Sequence, residues 1–412
     1  MVMSGKLLSA RAPGESRSPG MAIWFVLFIL YFVCAAQAES TAADECSVSA
    51  IPPPGGHYVV GTTVLAVERL HHSGSARQVQ LWYPAQKSLP AEAAAYLPDT
   101  QLIRALRSAK FLDLPGCVFD AWTKMKTAAL ADAPPAALPT KAPLVMIAPG
   151  AGVPRVSYSY YAQQLASDGY IVATIDFSEG GFLVANGKLL QEGPSGDEES
   201  DYAEQAMEMA RHMSDLLDEY LAKFPPSASE LAAAVLRQID ATRIAAIGHS
   251  LGGAAVLDAC RSDSRIKGCV DLDGIPEKPV AQDGIKTSVL FIRSHPDYSA
   301  ADLARLHRDP AKWQAMGEKI KADIAKLLVA PGPGAWVVSI HGTGHMSYSD
   351  APLTMPETIT KFGGRSLPAK RVLPITVQLI KRYLAHAFDR NIPFSTEGIS
   401  EATVQLSRQD AR

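Results

Sequence analysis

A serine at position 250 lies between glycines two residues away on each side, in Gly248-His249-Ser250-Leu251-Gly252, and Gly253 follows. The apolar run 244–247 precedes this stretch, and small and apolar residues follow it at helical spacing. That order predicts a tight strand-to-helix elbow, in which a serine hydroxyl is held exposed at a strained backbone position. Gly248 and Gly252 let neighbouring chain pass without a Cβ clash, and His249 completes the turn. The elbow also sets Ser250 at a helix N-terminus, where unpaired N–H groups and the dipole favour developing negative charge. A bare G-x-S-x-G can be an ordinary glycine-rich turn. The strand before, the helix after and Gly253 favour a nucleophile.

A serine hydroxyl needs a base to take its proton and an acid to orient that base. In a strand–elbow–helix architecture these follow in the order serine, acid, histidine. Two histidines follow the strand "AWVVSIHG": His341 at its edge and His345 in the glycine-rich loop "GTGHMSYSD". His345 is favoured because a loop can bring the ring within hydrogen-bond reach of Ser250. For the acid, Asp271 is still within the strand "GCVDLD". Asp273 ends it, and Gly274 would let the chain turn there, while Asp297 follows the next strand. The residues alone leave Asp273 and Asp297 open. The oxyanion donors should be the N–H of Leu251 and, from the loop "PGAGVPR", the N–H of Ala151, which Gly150 and Gly152 would free to face the site.

These residues need a frame. "HYVVGTTVLAVER" and "RQVQLWYPA" read as two early strands of a hairpin or meander, residues 98–130 carry mixed helical signals, and "ADAPPAALPTKAP" reads as a loop. "LVMIA", "YIVATID", "RIAAIG", "GCVDLD", "SVLFIRS" and "AWVVSIHG" are buried-type strands alternating with helical segments, and "LPITVQLIKRYLAHAF" is a closing helix. The alternation predicts the α/β class, with a mainly parallel central sheet covered by helices on both faces. Residues 57–412 form a single domain, preceded by a flexible lead-in at 39–56. Residues 177–226 are an insertion with an amphipathic helix from Asp201 to Leu221, its apolar stripe Ala203, Ala206, Ala210, Met213 and Leu217.

Of the 412 residues, 47% are hydrophobic and 20% charged, and the net charge is −3 without a long basic run, so a nucleic-acid partner is not expected. Residues 21–36, "MAIWFVLFILYFVCAA", are uncharged and apolar, follow Lys6, Arg11 and Arg17, and precede the small-residue site "AQA". This reads as a signal peptide spanning 1–38 that sends the chain to the periplasm or outside the cell. The rival is a retained anchor through 21–36, slightly short for a span. A lipidated Cys34 is a weaker rival, and Met21 could be the true start. Beyond the cleavage site remain Cys46, Cys117, Cys260 and Cys269, an even number that suits disulfides in an exported chain. Cys260 and Cys269 flank one helix-to-strand connection and could pair locally, leaving Cys46 for Cys117. No C-x-x-C pair and no His, Asp or Glu grouping has ligand spacing, so neither a metal nor an organic cofactor is expected.

The ordered segments together resemble the platelet-activating factor acetylhydrolases of the plasma and intracellular type II group, across roughly residues 53–388. "PPGGHYVVGTT", "QLWYPAQ", "PLVMIAPGAG" with "YYAQQLASDGYIVATIDF", "RIAAIGHSLGGAAVLDA", "CVDLDG" and "SIHGTGHMSYSD" each have a counterpart there. The resemblance implies an α/β-hydrolase fold and a lipase or esterase that forms an acyl-enzyme on short-acyl phospholipid or small carboxylic esters. It also implies a triad of Ser250, Asp273 and His345, the acid being selected over Asp297 by the "CVDLDG" match, and transient contact with a lipid surface. The family's histidine in "HGLG" is Pro149 here, "IPEKPV" replaces the aromatic stretch after the acid, and residues 178–195 have no counterpart, so acyl and head-group preference stay open. The same acyl-transfer chemistry would serve polyesters, lactones, thioesters or peptides. A non-catalytic binding protein on this fold is the remaining alternative.

Overall fold

The computed structural model describes residues 48–408 apart from short stretches within 67–75, 88–91, 109–113, 181–198, 224–227, 296–308, 329–333 and 357–366. The signal-peptide reading, Cys34, Cys46 and Asp297 lie outside the described residues. Among the described residues, no helix is long and apolar enough to cross a membrane.

The chain opens with β1 (Val59–Val64), β2 (Glu68–Arg69), β3 (Ala76–Ala85), β4 (Ala93–Ala95) and β5 (Lys126–Ala131). Then come β6 (Ala142–Ala148), β7 (Ile171–Phe177) and the small hairpin β8 (Leu183–Ala185) and β9 (Lys188–Leu190). β10 (Ile239–His249), β11 (Ile266–Leu272), β12 (Ser288–His295), β13 (Ala335–His341) and β14 (Ala402–Arg408) complete the set. The main sheet runs β14-β13-β12-β11-β10-β6-β7-β3-β1-β5-β4, with β2 beside β3. The pairs from β7 through β6, β10, β11 and β12 to β13 are all parallel. β3 joins β7 and β14 joins β13 antiparallel. This is the α/β-hydrolase fold, a mostly parallel sheet with an antiparallel flank.

The parallel strands are apolar on both faces because helices cover both. Leu144, Met146, Ala246 and Phe291 face one buried cluster, and Val145, Ile147, Ala245 and Val270 face the other. The closing helix (Ala369–Phe388) packs in the second cluster through Leu379, Ile380 and Tyr383. The elbow helix (Leu251–Ser262) packs in the first, together with the insertion helix (Glu199–Asp218). On the insertion helix Ala206, Ala210, Met213 and Leu217 are buried as the stripe requires, while Ala203 is half-buried.

Three strands of the main sheet, and the small hairpin β8–β9, escaped the sequence reading. β5 holds three alanines and a lysine and follows the helix Gly116–Lys124, so its segment reads as helical until β1 and β4 pair with it. β4 is three alanines. β14 lies past the closing helix and adds to the free edge of β13. Pairing partners far along the chain, not local propensity, make these three strands of the main sheet.

The register aligns the C-terminal ends of the central strands. Gly248 sits opposite Ala148 and Asp271, Leu272 opposite Ile292, and Ile340 opposite Ser294. The turns leaving β6, β10, β11, β12 and β13 therefore open along one edge, where parallel α/β sheets place their ligands.

Candidate active site

Ser250 follows β10 as the N-cap of the elbow helix, with φ 55° and ψ −119°. Positive φ in a residue with a side chain is strained backbone, and the neighbours hold it there. The Ser250 N–H donates to the Leu272 carbonyl at 3.0 Å. A Cβ on Gly248 would overlap the backbone of Gly252, and one on Gly252 would overlap the carbonyls of Ala148 and Pro149. The glycines are thus required by the close approach of the elbow to itself and to β6.

Asp273 leaves β11 beside this turn. It is Asp273 that adopts the left-handed conformation, φ 58°, and not Gly274, which the sequence had assigned the turn. Gly274 is needed for a different reason: a Cβ there would come within 2.6 Å of the Ser250 carbonyl oxygen. One Asp273 oxygen, Oδ2, lies 2.8 Å from Nδ1 of His345. The carboxylate also accepts from the Ser294 N–H at 2.9 Å and the Ser294 hydroxyl at 2.8 Å, and the Arg293 guanidinium stands 3.4 Å away. Burial disfavours its charge, but Arg293, His345 and the Ser294 N–H outweigh that and hold the carboxyl well below the usual carboxylate range. Its neighbour Asp271 is fully buried, accepts from the Gly274 N–H at 2.8 Å, and is pushed by burial up to about 7 despite Arg293. Asp271 therefore shapes the turn that presents Asp273, a role invisible in its position within a strand.

His345 opens a short helical turn, His345–Tyr348, which is closed by hydrogen bonds between Gly344 and Ser347. His341 stays at the exposed end of β13, where its Nε2 meets the Thr403 hydroxyl at 2.9 Å, so the fold sets the two histidines in different surroundings.

His249 has a larger part than its elbow position implied. Its ring lies 4.8 Å from that of His345. Gly150 donates its N–H to the Tyr158 oxygen at 3.0 Å, Tyr158 meets Nδ1 of His249 at 2.8 Å, and Nε2 of His249 meets the His345 carbonyl at 2.9 Å. A carbonyl only accepts, so Nε2 carries the proton and the Tyr158 O–H donates to Nδ1. The chain ties the loop after β6, the elbow and the His345 turn together. Burial, reinforced by the charge of His345, pushes His249 down to about 3, so it stays neutral beside the His345 ring.

The loop after β6 is held by Arg155, whose buried guanidinium pairs with Asp176 and whose N–H donates to the same carboxylate at 2.6 Å. Within it the Gly150 N–H goes to Tyr158, the Gly152 N–H to the Gly180 carbonyl at 2.6 Å, and the Val153 N–H to the Gly150 carbonyl at 3.1 Å. Among the described residues nothing takes the Ala151 N–H, which leaves that donor for a ligand. The Leu251 N–H is in the first turn of the elbow helix, where no intrahelical acceptor exists.

The sequence reading missed Tyr202. It comes from the insertion helix, and its hydroxyl comes near Ser250, which offsets part of the upward shift that burial imposes on it. The signal was there: Tyr202, Ala206 and Met209 follow at helical spacing, and a tyrosine at the end of such a stripe puts a polar tip beside whatever the stripe covers. Cys260 and Cys269 are joined, Cα to Cα 6.5 Å, linking the elbow helix to β11, and Cys117 is disulfide-bonded. The expectation that no His, Asp or Glu grouping has ligand spacing is corrected: the fold gathers Glu179, Glu208 and His212 from two segments.

The platelet-activating factor acetylhydrolase, isoform II, family model matches residues 44–185 and 228–387. Platelet-activating factor acetylhydrolase of Canis lupus familiaris is 26% identical over 340 residues, 76% of this chain and 71% of that protein. The Bos taurus protein of the same name is 25% identical over 294 residues, 65% of each chain. Among solved structures, a ferulic acid esterase from Streptomyces cinnamoneus superposes with a TM-score of 0.64 at 23% identity, over 87% of this chain and 100% of that one. The unmatched residues between 185 and 228 are most of the insertion; the family model matches 178–185, so the segment expected to lack a counterpart, 178–195, does so only from 186 on. This chain belongs to the platelet-activating factor acetylhydrolase isoform II family and is an ester-hydrolysing enzyme of the α/β-hydrolase fold.

Proposed function

We propose that this chain is an exported serine carboxylic-ester hydrolase that cleaves short-acyl phospholipid or small carboxylic esters through Ser250, Asp273 and His345. The observation that carries the reading is the 2.8 Å contact of His345 Nδ1 with a buried, ionised Asp273 beside a serine at φ 55°. Asp273 accepts a hydrogen bond from the Nδ1–H of His345, which leaves Nε2 as the base for the Ser250 hydroxyl. The serine oxygen attacks the ester carbonyl, and the oxyanion is received by the N–H groups of Leu251 and Ala151. His345 then protonates the leaving alcohol, an acyl-enzyme forms, and water activated by the same imidazole releases the acid. Asp273 stabilises the imidazolium throughout. None of these steps needs a metal or organic cofactor. Export is supported by the segment at 21–38 and by the bonded cysteines, which suit an oxidising compartment.

The test is hydrolysis of a p-nitrophenyl ester series of increasing acyl length beside an sn-2 acetyl phospholipid, for wild type and Ser250→Ala. Activity should concentrate on the shortest acyl groups. The alanine variant should keep its fold and lose about a million-fold in kcat, the cost of removing a triad nucleophile. Near wild-type turnover by Ser250→Ala, or a fluorophosphonate adduct on another residue, would sink the mechanism. Preference for long acyl chains, thioesters or lactones would leave the triad and displace the substrate assignment.

A further inference from the structure

We propose that Glu179, Glu208 and His212 bind a divalent transition-metal ion that fastens the insertion helix to the loop side of the active site. One ligand atom from each lies within 4.8 Å of the others. Glu179 and His212 are 5% and 2% exposed, and the Glu208 side chain is 21% exposed, which leaves the cluster one side open to solvent.

Both ring nitrogens of His212 face carboxylates. Nδ1 is 3.3 Å from Glu179 and Nε2 is 3.3 Å from Glu208. A neutral imidazole has one N–H, so one of these contacts sets a nitrogen lone pair against a carboxylate oxygen. Nδ1 has no hydrogen-bond partner although the residue is buried and stacked on Phe177. A bound cation removes the conflict. Around a tetrahedral ion with ligands at about 2.0–2.1 Å, neighbouring donor atoms stand about 3.3 Å apart; with one atom taken from each residue the three donors here lie within 4.8 Å of one another, so the side chains would draw in on the ion.

The surrounding charges leave room for it. Arg77 is engaged by Glu219 at 2.5 Å and by the His212 carbonyl at 3.0 Å, Arg211 pairs with Glu208 on the exposed side, and Asp215 lies on the next turn. One imidazole and two carboxylates suit zinc, cobalt or manganese, whereas calcium prefers an all-oxygen shell. Glu208 and His212 stand one turn apart on the insertion helix, and Glu179 follows β7. The next residue, Gly180, accepts the Gly152 N–H of the loop that carries Ala151, and a Cβ on it would overlap the Leu251 side chain. The ion would thus brace the elements on which Tyr202 and Ala151 stand, and would take no part in bond cleavage.

The experiment uses the full chain after chelator dialysis, with Zn²⁺ alone as the stabilising probe and Co²⁺ as the spectroscopic one. Saturating Zn²⁺ should raise Tm by about 4 °C at a hundredfold excess over Kd. Co²⁺ should give a visible d–d absorption with one ion per chain. His212→Gln and Glu208→Gln should abolish both, and circular dichroism reports whether each variant is folded. No Zn²⁺ shift and no Co²⁺ band in the wild type would overturn the proposal, leaving a shared proton as the bridge. An unchanged shift or band in a folded variant would overturn it equally. Hydrolysis by chelated wild type at moderate temperature tests the proposed triad separately, since that chemistry needs no ion.

Discussion

Replacing Asp273 by asparagine tests the acid with little change of shape. The structure dictates how the amide would sit. Oδ1 accepts the Ser294 N–H at 2.9 Å, and a backbone N–H cannot turn to accept. The amide oxygen is therefore held at that place, and the NH₂ takes the place of Oδ2, 2.8 Å from Nδ1 of His345. The Ser294 hydroxyl can rotate to accept from it, so the wrong orientation costs little there. An NH₂ facing Nδ1 forces the imidazole proton onto Nε2, the nitrogen that must take the Ser250 proton. The imidazolium also loses the charge that stabilises it. The same exchange in serine proteases costs about ten-thousand-fold in kcat, or ~5.5 kcal/mol of transition-state stabilisation. The expectation here is the same order, with KM nearly unchanged because Asp273 touches the histidine and not the ester. Steady-state hydrolysis of p-nitrophenyl acetate measures both constants, and a melting curve shows that the fold persists. A kcat within tenfold of wild type would refute the assignment of the acid.

Tyr158→Phe removes the hydroxyl joining Gly150 to His249. The stranded Gly150 N–H should cost about 1–3 kcal/mol of stability, and kcat should fall about tenfold as the His345 turn loosens, read by chemical denaturation and kinetics; an unchanged kcat would show the chain to be idle in turnover. Asp271 is held protonated to about 7 in the folded state and ionises near the ordinary carboxylate range when unfolded. Its contribution to stability is full below that ordinary value and is lost as pH rises through about 7. The Tm difference between wild type and Asp271→Asn should therefore shift against the wild type between pH 4 and about 8, and a pH-independent difference would contradict the raised value. Joining Cys260 and Cys269 closes a loop with a sequence separation of 9. Its removal in the double alanine variant should cost about 2–3 kcal/mol by chain entropy, and quantitative alkylation of both thiols in protein from an oxidising compartment would count against the bond.

The elbow, the strand–helix alternation and the order of the candidate site residues are legible in the amino-acid order alone. Each of these is local: glycine around one serine, apolar runs bounded by turns, a histidine in a glycine-rich loop. The same order also favoured Cys260 with Cys269, because their separation is short. The rest depends on segments remote in the chain. β5 and β14 are strands only because β1 and β13 offer free edges. The role of Asp271 comes from burial behind Gly253 and Gly274, and the role of His249 from the meeting of Tyr158 and His345 at 2.8 and 2.9 Å. Tyr202, Glu208 and His212 read as members of one amphipathic helix until that helix is laid across the elbow. Periodicity shows that a helix has a face to bury, but the identity of what it buries against is set by packing between distant parts of the chain.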